Sequence, residues 1–111
     1  MDKDYMKKRR MIGEILQAER HSKFGDQKAL AEKLGVKQAC ISKTENGNRK
    51  IDVIQLLEYC NALGITLTEL AIKIDSRFNI EFPDYEAKKQ SLHSRKLAFL
   101  QKVKEELSVM I

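Results

Sequence analysis

Three residues constrain this chain more than any others: Ala31, Gly35 and Ile41, within the stretch "ALAEKLGVKQACISK". Two short helices that meet at a steep angle need a small residue where the second crosses the first. They also need a glycine in the turn and a buried aliphatic on the second helix. Ala31, Gly35 and Ile41 fall at the intervals that supply all three, and Val36 adds an apolar contact at the turn. The surrounding segment from Leu34 to Lys50 is rich in amides and bases and carries no catalytic chemistry.

The rest of the chain is punctuated to match. With one proline and five glycines in 111 residues, long regular elements are favoured over loops. Residues 4–22 read as a helix whose apolar stripe is Ile12, Ile15, Leu16 and, at its margin, Met11. Gly25 turns the chain and Asp26 caps a second helix over about 27–34. A third runs from near Gln38 to "ENG", where Gly47 supplies a left-handed stop. Asp52 caps a fourth over about 53–63, with Val53, Leu56, Leu57, Cys60 and Leu63 as its apolar face. Thr66 and Glu69 have capping-box spacing and open a fifth through about Ile74.

Beyond residue 75 the pattern changes. Arg77 to Phe82 alternates, with Phe78, Ile80 and Phe82 on one side, which predicts a strand ending at Pro83. A last amphipathic helix follows to about 109, its stripe formed by Tyr85, Leu92, Phe99, Leu100, Val103, Leu107 and Met110. The expected fold is therefore mainly α: five helices over 1–75, then a strand-plus-helix extension over 76–111. A lone strand leaves its backbone unpaired. The simplest remedy is the same strand of a second copy, which makes Phe78, Ile80, Phe82, Leu92, Phe99 and Val103 the expected dimerisation residues.

Charge bears on partners. The chain holds 21 basic and 16 acidic residues, net +5, and the surplus lies at its two ends, most densely at Lys7 to Arg10. That suits a polyanion without requiring one. Cys40 and Cys60 lack metal-ligand neighbours, and His21 and His93 are isolated. No phosphate-binding glycine loop, nucleophile motif or carboxylate pair is present, so neither enzyme activity nor a metal or cofactor is expected. No apolar run approaches a membrane span or a signal peptide, and a reducing cytoplasm is the expected location.

Taken in register, Gln27, "LAEKLGV", Ile41-Ser42 and "ENG", with "LLEYCNALGITLTEL" downstream, resemble the phage-repressor and Cro-like (xenobiotic-response-element) helix-turn-helix family over about residues 9–74. The resemblance implies that the third helix enters the major groove of double-stranded DNA. Gln38, Ala39, Ser42 and Lys43 would then meet base edges. Gln27, Lys37, Asn46, Asn48, Arg49 and Lys50 would meet phosphates. It also implies a partly buried structural ion pair between Arg20 and Glu45. One departure stands out: Lys37 occupies a position where the family has a capping serine or threonine.

The function expected on this basis is a sequence-specific transcriptional regulator, a homodimeric repressor binding a palindromic operator. The alternative is an antitoxin-type autoregulator whose C-terminal helix binds a partner protein.

Overall fold

A computed structural model describes residues 4–83 and 97–108. Five helices fill the first span: α1 (Tyr5–Lys23), α2 (Gln27–Leu34), α3 (Gln38–Glu45), α4 (Val53–Leu63) and α5 (Leu67–Glu81). Residues 97–108 form a further helix, α6. The chain divides into two compact units, Met1–Phe78 and Asn79–Ile111. No described helix is long and apolar enough to cross a membrane.

Local chemistry accounts for the helix boundaries. Asp26 accepts a hydrogen bond from the Ala29 amide at 2.7 Å and so starts α2. At α4 Asp52 accepts from the Gln55 amide at 2.8 Å while the Gln55 side chain accepts from the Asp52 amide at 3.2 Å, a complete capping box. Thr66 Oγ1 accepts from the Glu69 amide at 3.1 Å ahead of α5. α2, α3 and α4 all end in the same way: Val36 donates to the Ala31 carbonyl at 3.0 Å, Asn48 to Lys43 at 2.8 Å, and Ile65 to Cys60 at 3.0 Å.

One core joins all five helices. Met11 and Leu16 from α1, Leu30 from α2, Ile41 from α3 and Leu70 from α5 are fully buried, and Tyr59, Cys60, Ala62 and Leu63 cover them from α4. Burying each large apolar side chain contributes roughly 1.5–3 kcal/mol. The inward face of α4 is thus rotated from the one its sequence suggested: Val53 and Leu57 are exposed, and Tyr59 lies inside.

Residues 77–82 correct the sequence reading. The expected strand is absent: Phe78 and Ile80 lie within α5, and Phe82 follows its end. The same letters carry a helical period, because Leu70 is buried and Ile74 and Phe78 are half-buried at intervals of four, while Ile80 is exposed. Charge holds the longer helix in place. Lys73 pairs with Glu19, and Arg77 with Glu14. Along these pairs the α1 number falls as the α5 number rises, so α1 and α5 run antiparallel.

Burial also separates the two cysteines. Cys60 is buried, and burial pushes its thiol pKa up, with the charges of Glu19 and Glu69 adding to the effect. Cys40 is half-buried. An aromatic disulfide reagent should therefore modify Cys40 in the native protein and reach Cys60 only after unfolding. Equal rates at both thiols would contradict the packing of α4.

Candidate nucleic-acid interface

α3 has two sides. Ile41, Thr44 and Glu45 face the interior, whereas Gln38, Ala39 and Lys43 are exposed and Ser42 is half-exposed. The four outward residues fall at intervals of one, three and one, which is a single stripe on a helix. After α3, Asn46, Asn48 and Lys50 are exposed and Arg49 is half-buried. Lys37 is exposed at the N-cap position and makes no side-chain cap bond. From Val36 to Lys50 the sole carboxylate is Glu45, and it points inward.

Glu45 anchors that inward side. Arg20 Nε donates to Glu45 Oε2 at 2.7 Å and Arg20 Nη2 to Oε1 at 2.9 Å, a bidentate pair with both side chains almost wholly buried. Gln27 Nε2 donates to the same Oε1 at 3.0 Å, and Arg20 Nη1 donates to the Gly25 carbonyl at 2.7 Å. The Arg20–Glu45 pair therefore ties α1, the α1–α2 turn and the start of α2 to the end of α3. Its hydrogen bonds hold the Arg20 guanidinium above its ordinary pKa. This arrangement places Gln27 differently from the other residues assigned to phosphate: half-buried, with an amide donor already directed to Glu45.

Two close approaches set where α3 lies, one at Gly47, which the sequence marked only as a left-handed stop, and one at Gly13, which it did not mark. A Cβ on Gly13, in the middle of α1, would stand 2.4 Å from the Glu45 carbonyl oxygen and 2.6 Å from that of Thr44. Gly47 has φ +77°, and a Cβ there would lie 2.8 Å from the Arg10 backbone. The end of α3 thus rests directly on the backbone of α1. The available signal was a glycine inside a strongly helical pattern, where it costs about 1 kcal/mol relative to alanine.

Tyr59 lies beneath α3. Its hydroxyl is buried and lacks a good hydrogen-bond partner among the described residues. Burial, and then the charge of Glu45, raises its pKa above the usual tyrosine value. The folded state therefore holds the neutral phenol, whereas an unfolded chain ionises near pH 10. Stability is unaffected below that point and falls as pH rises past it. Tyr59→Phe should leave melting near neutrality little changed and reduce the loss above pH 10; equal alkaline losses in both proteins would contradict this.

The fold is that of a helix-turn-helix protein, and a helix-turn-helix family model matches residues 25–70. An XRE-family-like protein from Pseudomonas syringae pv. tomato is 31% identical, with a TM-score of 0.58 over 64% of this chain and 87% of its own. The clp gene regulator ClgR from C. glutamicum is 26% identical, with a TM-score of 0.58 over 62% of this chain and 88% of its own. A second ClgR structure, 22% identical with a TM-score of 0.63 over 74% and 87%, shares the fold. No curated protein matches the chain. The chain belongs to the XRE-like, Cro/repressor-type family of helix-turn-helix DNA-binding proteins.

Among the described residues no group of His, Cys, Asp or Glu could hold a metal ion. Of the residues assigned to dimerisation, Leu92 lies outside the described residues, as do Tyr85 and Met110 of the same stripe. On α6 Leu97, Phe99, Leu100 and Leu107 are exposed and Val103 is half-buried.

Proposed function

We propose that this protein is a sequence-specific regulator of transcription that reads double-stranded DNA through α3 and represses by occupying a palindromic operator as a homodimer. The observation that carries the reading is the outward stripe of α3. On that stripe Gln38 would bond adenine at N6 and N7, Lys43 would donate to guanine O6 or N7, and Ala39 would touch a thymine methyl, with Ser42 between them. Lys37, Asn46, Asn48, Arg49 and Lys50 flank the stripe and would neutralise or bond phosphates. The buried pairing of Glu45 removes the one negative charge that would repel DNA here.

Selection of bound duplexes from random DNA tests the proposal, with a two-fold-symmetric enriched sequence as the expected result. No enrichment at low salt would overturn it. On the selected duplex Gln38→Ala should cost about 1–3 kcal/mol and relax specificity at one base pair per half-site. Lys50→Gln should weaken all sequences alike and shallow the salt dependence by about one unit of slope per site.

Dimerisation is assigned to α6, supported by its exposed apolar residues; Phe78, Ile80 and Phe82, within or just after α5, form no strand that could pair with a second copy. A homodimer would place two copies of α3 about one DNA turn apart. The same apolar surface supports a second reading, an autoregulatory antitoxin that offers α6 to a different protein. The mass of the pure protein in solution separates the two: a dimer alone favours the first, and a monomer that gains mass only with a host protein favours the second.

A further inference from the structure

A groove with a volume of about 320 Å³ opens between the first turns of α1, the segment after α3, and α5. It lies within the first compact unit and is separate from the outward stripe of α3. Its walls carry two aromatic rings, Tyr5 and Phe78, and four cations, Lys8, Arg9, Arg49 and Lys50, with no carboxylate among the lining residues. The cations are arranged over the rings: Arg9 lies 5.6 Å and Lys50 6.0 Å from the Tyr5 centroid, and Lys8 lies 5.5 Å from that of Phe78. Arg9 Nε is buried and has no hydrogen-bond partner among the described residues.

We propose that this groove binds a small aromatic anion, and that its occupancy competes with DNA phosphate for Arg49 and Lys50. The volume sits at the small end of ligand sites, which selects a compact molecule. The apolar surface of Tyr5, Phe78, Ile12 and Ile51 suits a compact apolar body. The surrounding cations suit a carboxylate at its edge, and that carboxylate can accept from Arg9 the bond its buried Nε lacks. Binding rests on the groove alone. Competition rests also on the assignment of Arg49 and Lys50 to phosphate, so the experiment has two separate arms.

In the first arm the full chain, free of DNA, is titrated calorimetrically with indole-3-acetate, its neutral isostere indole-3-acetamide, and acetate. The expected result is a Kd of about 1 mM or tighter for indole-3-acetate, in line with a ligand of that size. The other two should bind at least tenfold more weakly. Arg9→Gln, which removes the charge, and Phe78→Leu, which removes the ring and keeps apolar volume, should each weaken indole-3-acetate about tenfold while melting as the parent does.

In the second arm saturating indole-3-acetate should weaken binding to the selected duplex about tenfold at constant ionic strength. Phe78→Leu should abolish that effect and retain DNA binding. No heat with any probe, in a protein that binds its duplex, would overturn the site and leave the DNA reading intact. Equal binding of acid and amide would overturn the anionic specificity. Tight acid binding with unchanged duplex affinity would overturn the competition alone, and a protein that binds indole-3-acetate and no DNA would overturn the DNA reading and keep the site.

Discussion

Gly13→Ala should be the most damaging single-methyl change in this protein, costing about 3 kcal/mol or more and leaving little cooperative unfolding at 37 °C. In an isolated helix the change would help, by about 1 kcal/mol. Here the new methyl meets two carbonyl oxygens at the end of α3, at 2.4 and 2.6 Å, and neither is a side chain that can swing away. Relief requires α3 to lift from α1, which pulls Ile41 from the core and lengthens the Arg20–Glu45 bonds. Overpacking in a flexible core costs 1–3 kcal/mol, and rigid backbone on both sides pushes the figure upward. Urea denaturation monitored by circular dichroism measures it; a variant with the parent's midpoint would show that α1 and α3 can separate freely.

Arg20→Leu should rank beside it, at about 3–5 kcal/mol. The loss of the guanidinium leaves the Glu45 carboxylate buried with, among the described residues, only the Gln27 amide as a side-chain donor. Breaking a buried pair from one side strands the other charge, whereas replacing both partners with apolar groups is often far cheaper. Two outcomes are therefore expected. Arg20→Leu alone melts well below the parent, and adding Glu45→Met recovers a substantial part of the loss. A single mutant that melts normally but binds DNA poorly would make Arg20 a DNA contact and not a brace.

The helix-turn-helix core was legible because its signals are local and redundant. Asp26, Asp52 and Thr66 each cap the helix that follows, and Ala31, Gly35 and Ile41 admit few alternatives. Two kinds of information were not legible. Arg77 to Phe82 satisfies both a two-residue and a helical period, and the charge partners that favour the helix, Glu14 and Glu19, lie more than fifty residues away. Likewise Gly13 marks a contact with α3 that no short window contains. Gln27 shows a further limit: its position beside the recognition surface was legible, but not its bond to Glu45. In each case the deciding contact is tertiary.

The split of α3 into two stripes has a consequence for how such a protein diversifies. Among the described residues, the side chains of Gln38, Ala39, Ser42 and Lys43 make no hydrogen bond or ion pair within the domain, while Ile41 and Thr44 are buried in it and Glu45 bonds to α1 and α2. The reading head can be recoded at four positions with little penalty to the scaffold that holds it. Descendants of one ancestral chain could thus acquire new target sequences by a few substitutions, without passing through unstable intermediates.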